Sequence, residues 1–150
     1  MAENEIVIRA LEPSDRHAWS PLWQGYLAFY KSALPDEITD KTWARLLDPT
    51  EPVHGLVAVL DGEIVGIVHY LFHRSTWAME SYCYLEDLFA SASARNRGVG
   101  RALIAAVAEQ AKATGATRVY WHTHETNTTA QALYDKVAAQ SGFVQYRQTV

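Results

Sequence analysis

The feature that most constrains the fold lies at the centre of the chain. Leu56 to Leu60 and Ile64 to Phe72 are two β-rich runs around Asp61-Gly62. An Asp-Gly pair in that setting is the strongest short hairpin signal, because both turn residues tolerate a positive φ. Tyr82 to Ala90 is a third such run. Ahead of the hairpin, Ile6 to Ile8 reads as a short strand ended by Pro13-Ser14-Asp15, with Ser14 placed to cap the following helix. That helix is expected to reach about Tyr30. Trp19, Leu22, Trp23, Tyr26, Leu27, Phe29 and Tyr30 recur at helical spacing, and Pro21 is a point of restart or kink. A second helix from near Thr39 carries Trp43, Leu46 and Leu47 and stops at Asp48-Pro49.

Downstream, Val99 to Thr114 sets Leu103, Ile104, Val107, Ala108 and Ala111 on one helical face and closes with Gly115. Val119 to Thr123 reads as a strand, Thr128 to about Gln140 as a helix, and Phe143 to Val150 as a final strand. The expected order is β-α-α-β-β-β-α-β-α-β, a mixed α/β (α+β) architecture with a central mixed sheet flanked by helices. With no repeat, low-complexity tract or linker, residues 1–150 read as one domain.

Composition narrows the partners. A chain of 150 residues, 49% hydrophobic and 20% charged, buries about two-thirds of its unfolded surface, so it is neither disordered nor fibrous. Thirteen Lys and Arg against seventeen Asp and Glu, with no clustered basic run, disfavour nucleic acid. Met1 to Asn4 is polar and acidic, and no apolar run approaches the ~20 residues that cross a bilayer, so no membrane association is expected. The lone Cys83 forms neither an intrachain disulfide nor a four-cysteine zinc site, and fits a reducing, cytoplasmic compartment.

One local motif has a mechanism of its own. Arg95-Asn96-Arg97-Gly98-Val99-Gly100-Arg101 lies between the third β-rich run and the helix that opens near Val99. Glycines there let backbone approach a ligand, and the free N–H groups and positive dipole end of the helix favour an anion such as pyrophosphate. Arg95, Arg97 and Arg101 add cations. On two glycines alone, an ordinary strand-to-helix turn stands level with a phosphate loop. A Walker loop lacks its Gly-Lys-Ser/Thr ending here, and the dinucleotide fingerprint lacks its third glycine.

The segment resembles the Arg/Gln-x-x-Gly-x-Gly/Ala signature of the GCN5-related N-acetyltransferase (GNAT) superfamily, with Arg95, Gly98 and Gly100 in the defining places. Asn127, Ala130, Leu133 and Tyr134 are similar to a second pattern of that family, Asn-x-x-Ala-x-x-Leu-Tyr, and Gly142-Phe143 to the pair that opens its next strand. The likeness runs from Ile6 to about Tyr146 and extends to the element order. Tyr84 to Phe89 resembles diamine acetyltransferases, and Tyr120 to Asn127 with Trp23 to Tyr30 resembles a small histone- and polyamine-acetylating branch. Two departures stand out: seven residues, Asp135 to Ser141, separate Tyr134 from Gly142 where three are usual, and one strand's length follows Phe143 where the family has two.

The resemblance implies acetyl-CoA as cosubstrate and no metal. Its pyrophosphate falls to Arg95, Asn96, Arg97, Gly98, Val99, Gly100 and Arg101, its pantetheine to the backbone of Leu88, Phe89 and Ala90, and further contacts to Tyr134 and to Asn127, which also caps its helix. Acetyl transfer to an amine needs a neutral amine, a stabilised oxyanion and a proton for the departing thiolate. Glu86 is the expected base, working through water, and Tyr134 the expected acid. Asp87 is sent to the opposite strand face by the period of two and reads as structural. His122 and His124 share a face but lack a third metal ligand, and Cys83 reads as a packed small hydrophobe. Some of Trp19, Trp23, Tyr26 and Tyr30 are expected to line an acceptor pocket.

The expected activity is acetyl transfer to a polyamine, a small amine or the lysine of a basic peptide, since Glu86, Asp87 and Glu125 attract cations. The competing reading is an idle CoA-binding module, a sensor or interaction domain. The short C-terminus leaves a sheet edge open and predicts a homodimer or higher homo-oligomer.

Overall fold

The computed structural model describes residues 5–150; Met1 to Asn4, read above as a polar start, lie outside the described residues. Five strands, β1 (Val7–Ala10), β2 (Val53–Leu60), β3 (Glu63–Arg74), β4 (Ser81–Ala90) and β5 (Val119–Tyr120), form one mixed sheet in the order β1-β2-β3-β4-β5. The first three pairings are antiparallel and β4–β5 is parallel. The hairpin forms where the sequence places it: Asp61 and Gly62 take φ of 52° and 79°, both in the left-handed region that the tight turn demands.

Helices α1 (Arg16–Phe29) and α2 (Asp36–Leu47) cover one face of the sheet; α3 (Val99–Thr114) and α4 (Thr128–Val137) cover the other. The core therefore has two halves. Trp19, Trp23, Leu27 and Trp43 close on Val57 and Ile67 on the first face, while Leu103, Ile104 and Val107 close on Val68, Cys83 and Leu85 on the second. Each such fully buried side chain contributes about 1.5–3 kcal/mol. Pro21 sits on the exposed side of α1 and does not end it. No helix among the described residues is long and apolar enough to cross a membrane.

Several boundaries differ from the sequence expectation. Ser14 does not cap α1: it lies in a 3-10 turn, Pro13–Asp15, where the Asp15 carboxylate instead accepts from the Glu12 N–H at 2.8 Å and from Arg9. The second helix starts at Asp36, directly after Pro35, and α4 ends at Val137, short of Gln140. The expected Val119–Thr123 strand shrinks to Val119–Tyr120. The expected final strand, Phe143 to Val150, is absent; Phe143 and Tyr146 are each 91% exposed. A strand exists only through its ladder, and a two-residue β5 offers the segment no edge to extend.

Candidate active site

Strand β4 breaks its own alternation. His69 pairs with Asp87 and Tyr70 with Leu85, so Glu86 is an extra residue without a partner across the ladder. Such a bulge re-aims the side chains beyond it. Leu85 and Leu88, three apart, both belong to the α3 side, and Asp87 turns toward α1. Asp87 is thus not on the face opposite Glu86, as strict alternation requires; the two carboxylates sit together, beside Tyr26 of α1. Burial, then the neighbouring Asp87 charge, raises the Glu86 carboxyl above its ordinary value.

The bulge also marks where the sheet parts. Only Cys83↔Val119 and Tyr84↔Tyr120 join β4 to β5, so from Leu85 to Ala90 the strand has no partner on that edge. Leu88, Phe89 and Ala90, the expected pantetheine residues, lie along this open edge, where backbone N–H and C=O groups are available to an extended ligand.

At the far end of the opening the chain turns through Ala92–Ala94 into α3. Asn96 and Gly98 take φ of 64° and 82°, and this pair of left-handed residues folds Arg95 to Gly98 over the start of the helix. Ala102 N–H is the first to bond inward, to the Gly98 carbonyl at 3.0 Å, leaving the N–H groups of Val99, Gly100 and Arg101 at the helix mouth. A Cβ on Gly98 would meet nothing within 4 Å; one on Gly100 would lie 3.6 Å from Leu133, an ordinary contact. Gly98 is therefore favoured by its left-handed backbone and not by crowding, whereas alanine fits at Gly100. Arg95, Arg97 and Arg101 are exposed around this mouth, Arg95 lying 6.0 Å from the Phe89 ring centre.

Tyr134 stands on α4, the helix that follows β5. Asn127 starts that helix, its side chain accepting from Ala130 N–H at 3.4 Å and donating to Thr123 at 3.0 Å. The Tyr134 ring packs edge-on against Trp121, with 5.4 Å between ring centres. Burial, with a smaller contribution from Tyr30, pushes its phenol up to about 12. The α1 aromatics divide: Trp19 and Trp23 are core, while Tyr26 and Tyr30 face the opening.

Residues 121–127 are not a strand, so His122 and His124 do not share a sheet face. His122 meets the Tyr84 hydroxyl at 3.3 Å, and His124 bonds Thr126 in the loop. Among the described residues, no group of three or more His, Cys, Asp and Glu is arranged to hold a metal. The residue that sequence reasoning missed is His69. It lies 50 positions from Trp19, to which it is bonded, so nothing local marks it.

Residues 16–139 match the Acetyltransferase (GNAT) family. The chain is 40% identical over 149 residues to the D-amino-acid N-acetyltransferase HPA3 of Saccharomyces cerevisiae, covering 98% of this chain and 92% of that protein. It is 35% identical over 85 residues to a thialysine N-epsilon-acetyltransferase of Caenorhabditis elegans, 57% of this chain and 52% of that one. In fold it is similar to an aminoglycoside N-acetyltransferase, AAC(6')-Iy, solved in complex with CoA, at a TM-score of 0.83 and 20% identity over 97% of this chain and 95% of the other.

Proposed function

The chain belongs to the acetyltransferase (GNAT) family and is an N-acetyltransferase, and we propose that it moves the acetyl group of acetyl-CoA to the primary amine of a small molecule by direct transfer in a ternary complex. The observation that carries this reading is the parting of β4 from β5 beyond Tyr84, with the N-terminus of α3 after β4, Glu86 on β4 and Tyr134 on α4. The residues fit the cosubstrate: three free N–H groups and exposed arginines suit a pyrophosphate, and the Leu88–Ala90 edge suits the amides of the pantetheine arm.

In this reading acetyl-CoA supplies the activated acyl group, and the chain supplies positioning and proton transfer. The loop from Arg95 to Arg101 fixes the pyrophosphate, and Asn127 abuts the arm from α4. Glu86 takes a proton from the incoming ammonium through water, its raised proton affinity suiting a base that works near neutrality. Tyr134 gives its proton to the departing sulfur. Burial keeps the phenol protonated, and the same dry setting raises the thiolate's own demand for a proton.

For the acceptor we favour a small cationic amine, an amino acid or a polyamine, over the lysine of a basic peptide. Glu86 and Asp87 beside Tyr26 and Tyr84 form an acidic, aromatic-lined end of the opening, and the relatives named above act on amino acids or their analogues. Thiol release from acetyl-CoA should be measured over a panel of D- and L-amino acids, spermidine, a histone-tail peptide and an aminoglycoside. The expected result is amine-dependent release at least about 100-fold over the amine-free rate for an amino acid or polyamine. Tight acetyl-CoA binding with no release for any amine would favour the idle module.

We further propose a homo-oligomer built through residues 138–150, in one cytoplasmic domain whose buried, unpaired Cys83 suits a reducing compartment. Phe143, Val144, Tyr146 and Val150 are left open to water, an apolar set that a second copy would cover. Light scattering at micromolar concentration should give a dimer or larger species that falls toward monomer on deleting Tyr146 to Val150. A monomeric mass for the full chain overturns this.

A further inference from the structure

Beneath the two carboxylates lies a buried polar chain that the reaction above does not use. The Trp19 indole N–H donates to His69 Nε2 at 3.0 Å, and His69 Nδ1 lies 2.9 Å from an Asp87 carboxylate oxygen. Trp19 is fully buried and His69 is 4% exposed. An indole nitrogen only donates, so Nε2 must present its lone pair and the ring's proton must sit on Nδ1, where it donates to Asp87. A second proton on Nε2 would set two N–H groups against each other in a dry site. The two contacts therefore favour a single tautomer, with the proton on Nδ1 and the lone pair on Nε2. The Tyr26 hydroxyl donates to the Glu86 backbone carbonyl at 3.5 Å, and its proton is held more tightly through burial and then the Asp87 charge.

We propose that Trp19 and His69 are positioning residues for acetyl transfer: they pin the Asp87 carboxylate at the β4 bulge, and Asp87 in turn places a fixed negative charge beside Glu86. The groups that face Glu86 are Asp87 and Tyr84 on β4, His69 on β3 and Tyr26 on α1. Of these, Asp87 is the neighbour whose negative charge raises the proton affinity of Glu86, while the two phenols hold their own protons more tightly than usual. A like charge disfavours the ionised form of its neighbour, so Glu86 holds a proton more readily than it would alone. Without the indole donor the His69 ring could turn away from Asp87. Without His69 the half-buried Asp87 would lose a partner and turn toward solvent. The bulge itself is why this works, since in an unbroken strand Asp87 would lie on the other face of the sheet.

This inference deepens the reading of Glu86 as the base and rests on it, so the test separates the two. Carbon-13 carboxyl titration of Glu86 reports the positioning, and the pH dependence of kcat reports the role. In D87N, which keeps an oxygen to accept from His69, the Glu86 titration and the acidic limb of kcat should both move to lower pH, and kcat at pH 7 should fall about 10-fold. H69L should move them the same way, and H69Q, whose amide restores both a donor and an acceptor, should move them back toward wild type. W19F should let the His69 ring nitrogens lose their single-tautomer signature in long-range proton–nitrogen spectra. A Glu86 titration unmoved in both D87N and H69L, with each variant folded by circular dichroism, overturns the positioning chain. A folded E86Q with wild-type kcat and an unchanged acidic limb instead overturns the base reading, whatever the titration does.

Discussion

Replacing Gly98 by aspartate is expected to weaken acetyl-CoA binding by at least about 100-fold, or ~2.7 kcal/mol, with the protein still folded. Two effects combine at this residue. The φ of 82° resists any side chain, although aspartate and asparagine bear it better than most. The added carboxylate would stand in the open space over the α3 mouth, where, among the described residues and apart from its chain neighbours, nothing comes within 4 Å of the new Cβ and where a pyrophosphate is expected. Gly98→Asn separates the causes: it has the same backbone demand without the charge, and should lose less than about 10-fold. Gly100→Ala, whose methyl makes only an ordinary contact with Leu133, should be close to neutral. Isothermal titration with acetyl-CoA, paired with a thermal melt, reads all three. A folded Gly98→Asp protein with wild-type affinity would remove the phosphate-loop assignment and the reading built on it.

Tyr134→Phe should lower kcat by about 100- to 1,000-fold while changing the affinity for acetyl-CoA less than about twofold. The asymmetry follows from what the substitution leaves alone. The phenylalanine ring keeps the edge-on packing against Trp121 and the contacts of α4 with the sheet, so the opening keeps its shape. Only the hydroxyl goes. Its proton, held up to about 12 by burial, is present throughout the neutral range, and the wild-type rate should therefore show no loss from this group until strongly alkaline pH. Pre-steady-state thiol release with matched binding isotherms gives the split. A rate near wild type would hand the acid role to water.

The parts of the molecule legible in the sequence are those whose cause is local. Asp61-Gly62 declares its turn because the two residues tolerate the backbone it needs, and Gly115, at φ 92°, ends α3 for the same reason. The turn into α3 was legible because its glycines and its place before a helical pattern are both read along the chain. The bulge at Glu86 was not, since a register slip is a property of two strands. Its trace was still in the letters: Cys83, Leu85, Leu88 and Ala90 keep one face only if the spacing widens from two to three between Leu85 and Leu88. Strict alternation applied across that gap put Asp87 on the wrong face. His69 left no trace at all, and the final strand was misread because alternation describes what a segment could pair with, whereas the ladder depends on an edge that β5 is too short to provide.

Those two residues of β5 have a consequence for how the enzyme loosens. The proposed cofactor mouth belongs to α3, whose Leu103 and Val107 are fully buried, so it should open only when the whole molecule does. The phenol of Tyr134 belongs to α4, an element with no buried residue, tied back to the sheet by a two-rung ladder. Residues 119–150 thus form a leaf that can lift as a unit at a cost well below global unfolding. In the proposed reading, binding and chemistry ride on parts of unequal anchorage. Mild denaturant or heat should therefore silence turnover while acetyl-CoA is still held, and slow amide exchange should persist longest along α3.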